Sequence, residues 1–140
     1  MKKKTIAIFF AVLLITSISG FAAARASEYF SCTAVYATAL DDGEVLIEYD
    51  IDPTHTMLEC GAKIVYIFEE QSDGDFEVVF SYHMDDYPEM IQHNTIIGDG
   101  EVTYQGTPGL QYYALVGVYA KDSSGSETIY FYTNVVTARN

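Results

Sequence analysis

The residues with the most chemical potential in this chain are its carboxylates and its tyrosines. Asp50 and Asp52 sit two apart in an alternating run, and Asp73 and Asp75 flank Gly74. Oxygen ligands from such flexible segments are what Ca²⁺ takes, so these four form a candidate Ca²⁺ site. The "DGD" and "GDGE" fragments supply oxygens, yet neither completes the 12-residue spacing of an EF-hand loop. Solvated turn acids are the plainer reading of the same residues. Tyr113 and Tyr119 flank Gly117 in one segment, and Tyr130 and Tyr132 alternate in the next. Brought onto one face, they would make an aromatic ridge for stacking on a sugar or gripping a protein.

Other chemistry has less support. His83 and His93 flank Asp85 and Asp86, and His55 lies apart, but no HExxH or CxxC spacing accompanies them. Exposed loop histidines are expected. Ser31, Ser81 and Cys32 lack a nucleophile motif, and no G-x-S-x-G occurs. A small hydrolase would need two carboxylates placed in a cleft, for which so short a chain has little room. No enzyme and no resident cofactor are expected, with Ca²⁺ the ion held open.

The chain opens with Lys2, Lys3 and Lys4, runs apolar from Thr5 to Ile18, and then offers Ala-x-Ala choices at Ala22/Ala24 and Ala24/Ala26. That is the pattern of a secretory signal peptide over residues 1–26. The apolar run falls short of the roughly 20 residues that span a bilayer, so no stable membrane anchor is expected. The product is read as secreted and extracellular, with residues 27–140 forming one domain. Four of the seven basic residues leave with the signal, so Lys63, Lys121 and Arg139 stand against 20 acidic residues, a net charge of −17. Nucleic acid and anionic lipid are excluded as partners by that charge. An extracellular protein or glycan remains, bound by a monomer. Cys32 and Cys60, an even pair in an exported chain, suggest one disulfide.

The elements that must position these residues are strands. Alternating apolar runs cut by Gly, Asp and Ser turns predict seven: 29–39, 44–52, 61–70, 76–83, 101–104, 110–120 and 127–138. In the second, Val45, Ile47, Tyr49 and Ile51 face a core and Glu48, Asp50 and Asp52 face water. The third is read with Ala62, Ile64, Tyr66 and Phe68 on one side, the fourth with Phe76, Val78, Phe80 and Tyr82. "MDDYPEMIQHNTI" reads as a long loop with one helical turn. The sixth divides into an inner column, Tyr112, Ala114, Val116, Val118 and Ala120, and an outer one, Tyr113, Leu115, Gly117 and Tyr119. Its register with the seventh stays open. Pair indices summing to 249 set Tyr119 against Tyr130 and an outward ridge; a sum of 248 sets Val118 against Tyr130 and turns the tyrosines into core.

The "PGLQY.A.V.V.A" pattern of Pro108 to Ala120 resembles the sixth strand of fibronectin type III and related immunoglobulin-like sandwiches. That resemblance implies an all-β, two-sheet sandwich of about seven strands behind the signal-peptide helix. It also makes Tyr112 the corner tyrosine, its hydroxyl bonding back to the preceding turn. "MLECGAKIVYI" (57–67) and "VTYQGTPGLQYYALVGVYA" (102–120) resemble the two recurring blocks of a family of small secreted proteins of unknown function from Gram-positive bacteria. In that family an apolar residue is expected where Cys60 stands. The function expected is a non-enzymatic binding or surface-interaction module. A Ca²⁺-dependent carbohydrate-binding domain and a small secreted hydrolase are the alternatives.

Overall fold

A computed structural model describes residues 27–140, and the expected signal peptide at 1–26 lies outside them. The described residues form strands β1 (Phe30–Ala39), β2 (Glu44–Pro53), β3 (Met57–Glu70), β4 (Phe76–His83), β5 (Ile91–Thr95), β6 (Gly100–Gln105), β7 (Gln111–Lys121), β8 (Ser126–Tyr132) and β9 (Val136–Thr137). Two short 3-10 turns, at Asp41–Gly43 and Pro88–Met90, complete the regular structure. One sheet has the order β1-β2-β6 and the other β4-β3-β7-β8, with β5 also on β3 and β9 also on β7. All the ladders are antiparallel. The described residues therefore form an all-β two-sheet sandwich, as the strand pattern predicts.

Alternation decides what each sheet buries. Val45, Ile47, Tyr49 and Ile51 of β2 point inward and are sealed from water. Tyr112, Ala114, Val116, Val118 and Ala120 of β7 meet them from the other sheet, with Val65 and Ile67 of β3. Both columns follow the two-residue period of a strand. At about 25 cal/mol per Å² of apolar surface, each buried valine or isoleucine among them contributes roughly 1.5–3 kcal/mol.

Two strands break that period. In β3 the register with β7 shifts between Ala62 and Ile64, so Lys63 is an extra residue. Ala62 faces the core, while Ile64, Tyr66 and Phe68 pair with the outer column Gly117, Leu115 and Tyr113. The expected grouping of Ala62 with these three is thus corrected by a β-bulge, which moves everything beyond it to the opposite face. β4 carries a matching irregularity: Phe68 pairs with Val78 but Ile67 with Phe80, leaving Val79 unpaired. Val78 therefore shares the outer face with Phe68, whereas Tyr82 is buried in the core. The expected four-residue side of β4 splits in two.

The segment read as a loop contains β5, which extends β3's edge from Gly61 to Met57 beyond the end of β4. The last expected strand ends early at Tyr132, and the chain rejoins β7 as β9.

The expected disulfide is absent, and both cysteines are free. Cys32 is exposed on β1 opposite the exposed Asp52, while Cys60 is sealed in the core on β3 of the other sheet. A disulfide needs two Cβ atoms aimed at each other within about 4.5 Å. An outward and an inward residue on different sheets do not meet that condition. Cys60 fills the place of an apolar core residue.

Candidate functional site

The outer face of the β4-β3-β7-β8 sheet gathers aromatic residues from all four strands. Its register comes from the β7–β8 turn. Asp122 N–H donates to the Gly125 carbonyl (2.9 Å), and Asp122 Oδ1 accepts from the Ser124 N–H (2.8 Å), the Ser124 hydroxyl (2.7 Å) and the Gly125 N–H (3.0 Å). This closure pairs Lys121 with Ser126, so the pair indices sum to 247. Neither sum considered from the sequence is realised. Tyr130 stands opposite Gly117 and Tyr132 opposite Leu115. A sum of 247 differs from 249 by two, which preserves the face, so the tyrosines of β8 point outward.

The four tyrosines proposed as a ridge meet different fates. Tyr130 is 54% exposed and Tyr132 66%. Tyr113 is half-buried at the centre of a cluster. Phe68 stacks on it at 4.6 Å with rings 10° apart, Phe76 tilts against it at 4.9 Å, and Tyr132 meets it edge-on at 5.9 Å. Tyr119 leaves the ridge: it is only 7% exposed. Its hydroxyl donates to Glu59 Oε2 (3.1 Å), and the Lys63 ammonium lies 5.5 Å from its ring centroid. Burial, then the hydrogen bond to Glu59, raises its hydroxyl pKa.

Sequence reading missed Phe68, Phe76 and Val78, which extend the surface across β3 and β4. The only signal of their placement is the pair of bulges. Val78, opposite Phe68, is exposed. The ridge runs from Val78 and Phe76 through Phe68 and Tyr113 to Tyr132, with Tyr130 beside it. Ring pairs at these separations stabilise one another by about 0.5–1.5 kcal/mol beyond their area.

The opposite face of the molecule is acidic. Glu48 of β2 lies directly across from Glu101 of β6, and Asp50 and Asp52 continue the line. Tyr36 donates its hydroxyl to Asp50 Oδ2 (2.9 Å). Asp73 and Asp75 belong to the β3–β4 turn in the other sheet, where Asp73 Oδ1 accepts the Asp75 N–H (3.0 Å). The fold leaves these two apart from Asp50 and Asp52. Among the described residues no three His, Cys, Asp or Glu side chains stand together as metal ligands. The histidines are exposed and separate: His83 ends β4, His93 lies on β5, and His55 Nε2 meets Asp122 Oδ2 at 2.9 Å.

Tyr112 is buried with its hydroxyl between two partners. It accepts the Thr107 N–H (2.8 Å) and donates to Glu69 Oε2 (2.6 Å). The residue thus ties the turn before β7 to the end of β3.

Compared with models of protein families and with curated proteins, the chain matches none. Among the described residues no helix is long and apolar enough to cross a membrane.

Proposed function

We propose that this chain is a secreted, non-enzymatic binding module. It is exported by residues 1–26 and, as a monomer, engages an extracellular protein or glycan through the aromatic face of the β4-β3-β7-β8 sheet. The observation that carries this reading is the exposure of Tyr130 and Tyr132, 54% and 66%, beside the Phe68–Tyr113 stack. A sandwich buries one face of each sheet, and large aromatics gathered in the open on the other mark an interaction surface. Next to the Phe68–Tyr113 stack this face carries Tyr66, Leu115 and Gly117, all uncharged.

We assign the domain to the fibronectin type III class. Support comes from the three-stranded β1-β2-β6 order opposite β4-β3-β7-β8 and from Tyr112 at the start of β7, whose hydroxyl bonds back to the preceding turn. The likeness of 57–67 and 102–120 to small secreted proteins of Gram-positive bacteria points to the same extracellular setting.

The test is a screen of the purified protein against glycan and extracellular-protein arrays, repeated with Tyr130→Ser/Tyr132→Ser. A hit that the double variant loses, at an unchanged melting temperature, supports the reading. Hits that the double variant retains in full would move the site elsewhere.

A further inference from the structure

β1 is the edge of its sheet, and its free side is half covered. In an antiparallel ladder alternate residues turn their N–H and C=O toward the neighbour or away from it. Ala37 turns both away from β2. Its N–H donates to Asn134 Oδ1 and its carbonyl accepts from Asn134 Nδ2, each at 2.9 Å. The Asn134 amide thus stands where a partner strand's peptide group would stand. Two residues on, the Arg139 guanidinium donates to the Ala39 carbonyl. The same alternation aims the main-chain groups of Val35 and Thr33 outward, and among the described residues the covering stops there. Beside this open half lies a groove of about 260 Å³ between β1 and β8, walled by Phe30, Cys32, Thr33, Ile129 and Phe131, with the polar Ser27 and Ser31 also lining it. Thr33 Oγ1 is buried next to it without a hydrogen-bond partner among the described residues.

We propose that the open edge of β1 at Thr33 and Val35 receives an extended basic peptide as an added strand, with apolar side chains entering the groove and cationic ones facing out. Strand addition satisfies the outward N–H and C=O groups that Asn134 satisfies at Ala37. The groove walls set the inward preference. Charge sets the outward one. Ala34 lies opposite Asp50, Cys32 opposite Asp52 and Tyr36 opposite Glu48, with Glu101 beyond Glu48. An added strand lies two spacings from β2, about 10 Å, a span that a lysine and an aspartate side chain cover together. At Ala34 only a methyl group stands between them. The Tyr36 hydroxyl holds Asp50 on this side. A second copy suits the edge poorly, because pairing β1 with β1 brings together two acidic stripes and two domains whose residues 27–140 each carry a net charge of −17.

The experiment uses a fluorescein-labelled octapeptide of alternating valine and lysine. Valine–glutamate and glycine–lysine octapeptides serve as controls, and anisotropy is read at low salt. The valine–lysine peptide should bind and the other two should not. Val35→Pro removes an N–H that points away from β2, and should weaken binding about tenfold or more, while Val35→Ala changes it little. Asp50→Asn/Asp52→Asn should weaken it as well, and Tyr130→Ser/Tyr132→Ser should leave it intact, which separates this edge from the aromatic face. Amide exchange in the unaltered protein gives an independent readout, since the bound peptide should protect the Val35 and Thr33 N–H groups. Equal binding of the glycine–lysine peptide, an undiminished affinity in Val35→Pro, unprotected Val35 and Thr33 amides, or dimerisation in place of peptide binding would each overturn the proposal.

Discussion

Gly117 of β7 and Tyr130 of β8 stand directly opposite each other, and the tyrosine ring lies over the glycine. A Cβ at residue 117 would come 2.9 Å from Tyr130 Cε1 and 2.9 Å from Ile64 Cγ2. Carbon atoms in ordinary contact sit about 3.5–4.0 Å apart. The glycine is therefore a matter of space: it lets Tyr130 lie across the strand while remaining open to solvent above.

Gly117→Ala should accordingly destabilise the domain by about 1–3 kcal/mol, the range for forcing a methyl group into a filled site. Ile64 is buried on β3 and has little freedom to retreat. Tyr130→Ala removes one of the two obstacles, so the alanine should cost less in that background. Urea denaturation of the two single variants and the double variant measures the coupling. A neutral Gly117→Ala would refute the contact.

Tyr112→Phe should destabilise by about 1–3 kcal/mol without changing the core packing. It removes the acceptor for the Thr107 N–H and the donor to Glu69, while the ring stays buried against Tyr104 at 5.8 Å. Thermal melts of Tyr112→Phe and Glu69→Gln separate the two bonds. The glutamine keeps a side-chain oxygen as acceptor and should cost less.

What the sequence made legible follows strand regularity. β2 and β7 keep the two-residue period throughout, and their buried columns are read correctly from it. β3 and β4 do not. One extra residue at Lys63 and one at Val79 reverse the faces beyond them, and neither position has a composition that announces a bulge. The β7–β8 register was legible in principle. Asp122 three residues before Gly125 is a side-chain-capped turn, and recognising it leaves only the sum of 247. The cysteine pair misled because a count carries no information about faces. Cys32 and Cys60 differ in both sheet and direction.

The cysteines should therefore differ sharply in reactivity. Burial pushes the Cys60 thiol up to about 11, and the Asp99 carboxylate adds to the shift. Cys32 is exposed. Because the thiolate is the nucleophile, iodoacetamide at pH 8 should modify one thiol in the native protein and two in denaturant. Peptide mapping should locate the native label at Cys32. Rapid labelling of both would contradict the core position of Cys60.

Asp122 should take up a proton only well below the usual carboxylate range. The Ser124 hydroxyl and N–H, then His55, then the Gly125 N–H all favour its charged form and hold its pKa well below the usual carboxylate range. In the unfolded chain the same group protonates near pH 4. As pH falls below that value, the unfolded state binds a proton that the folded state refuses, so stability declines until the folded carboxyl protonates too. The contribution is fully present above about pH 4–5 and is lost in the acid range. Asp122→Asn keeps an oxygen to accept the Ser124 and Gly125 N–H groups but cannot titrate. It should retain the turn and show a shallower loss of melting temperature between pH 5 and pH 2. Asp122→Ala loses the turn contacts as well, and should melt lower at every pH. Melting curves across that range compare the three proteins. If Asp122→Asn declines with acid as steeply as the parent, another carboxylate carries the effect.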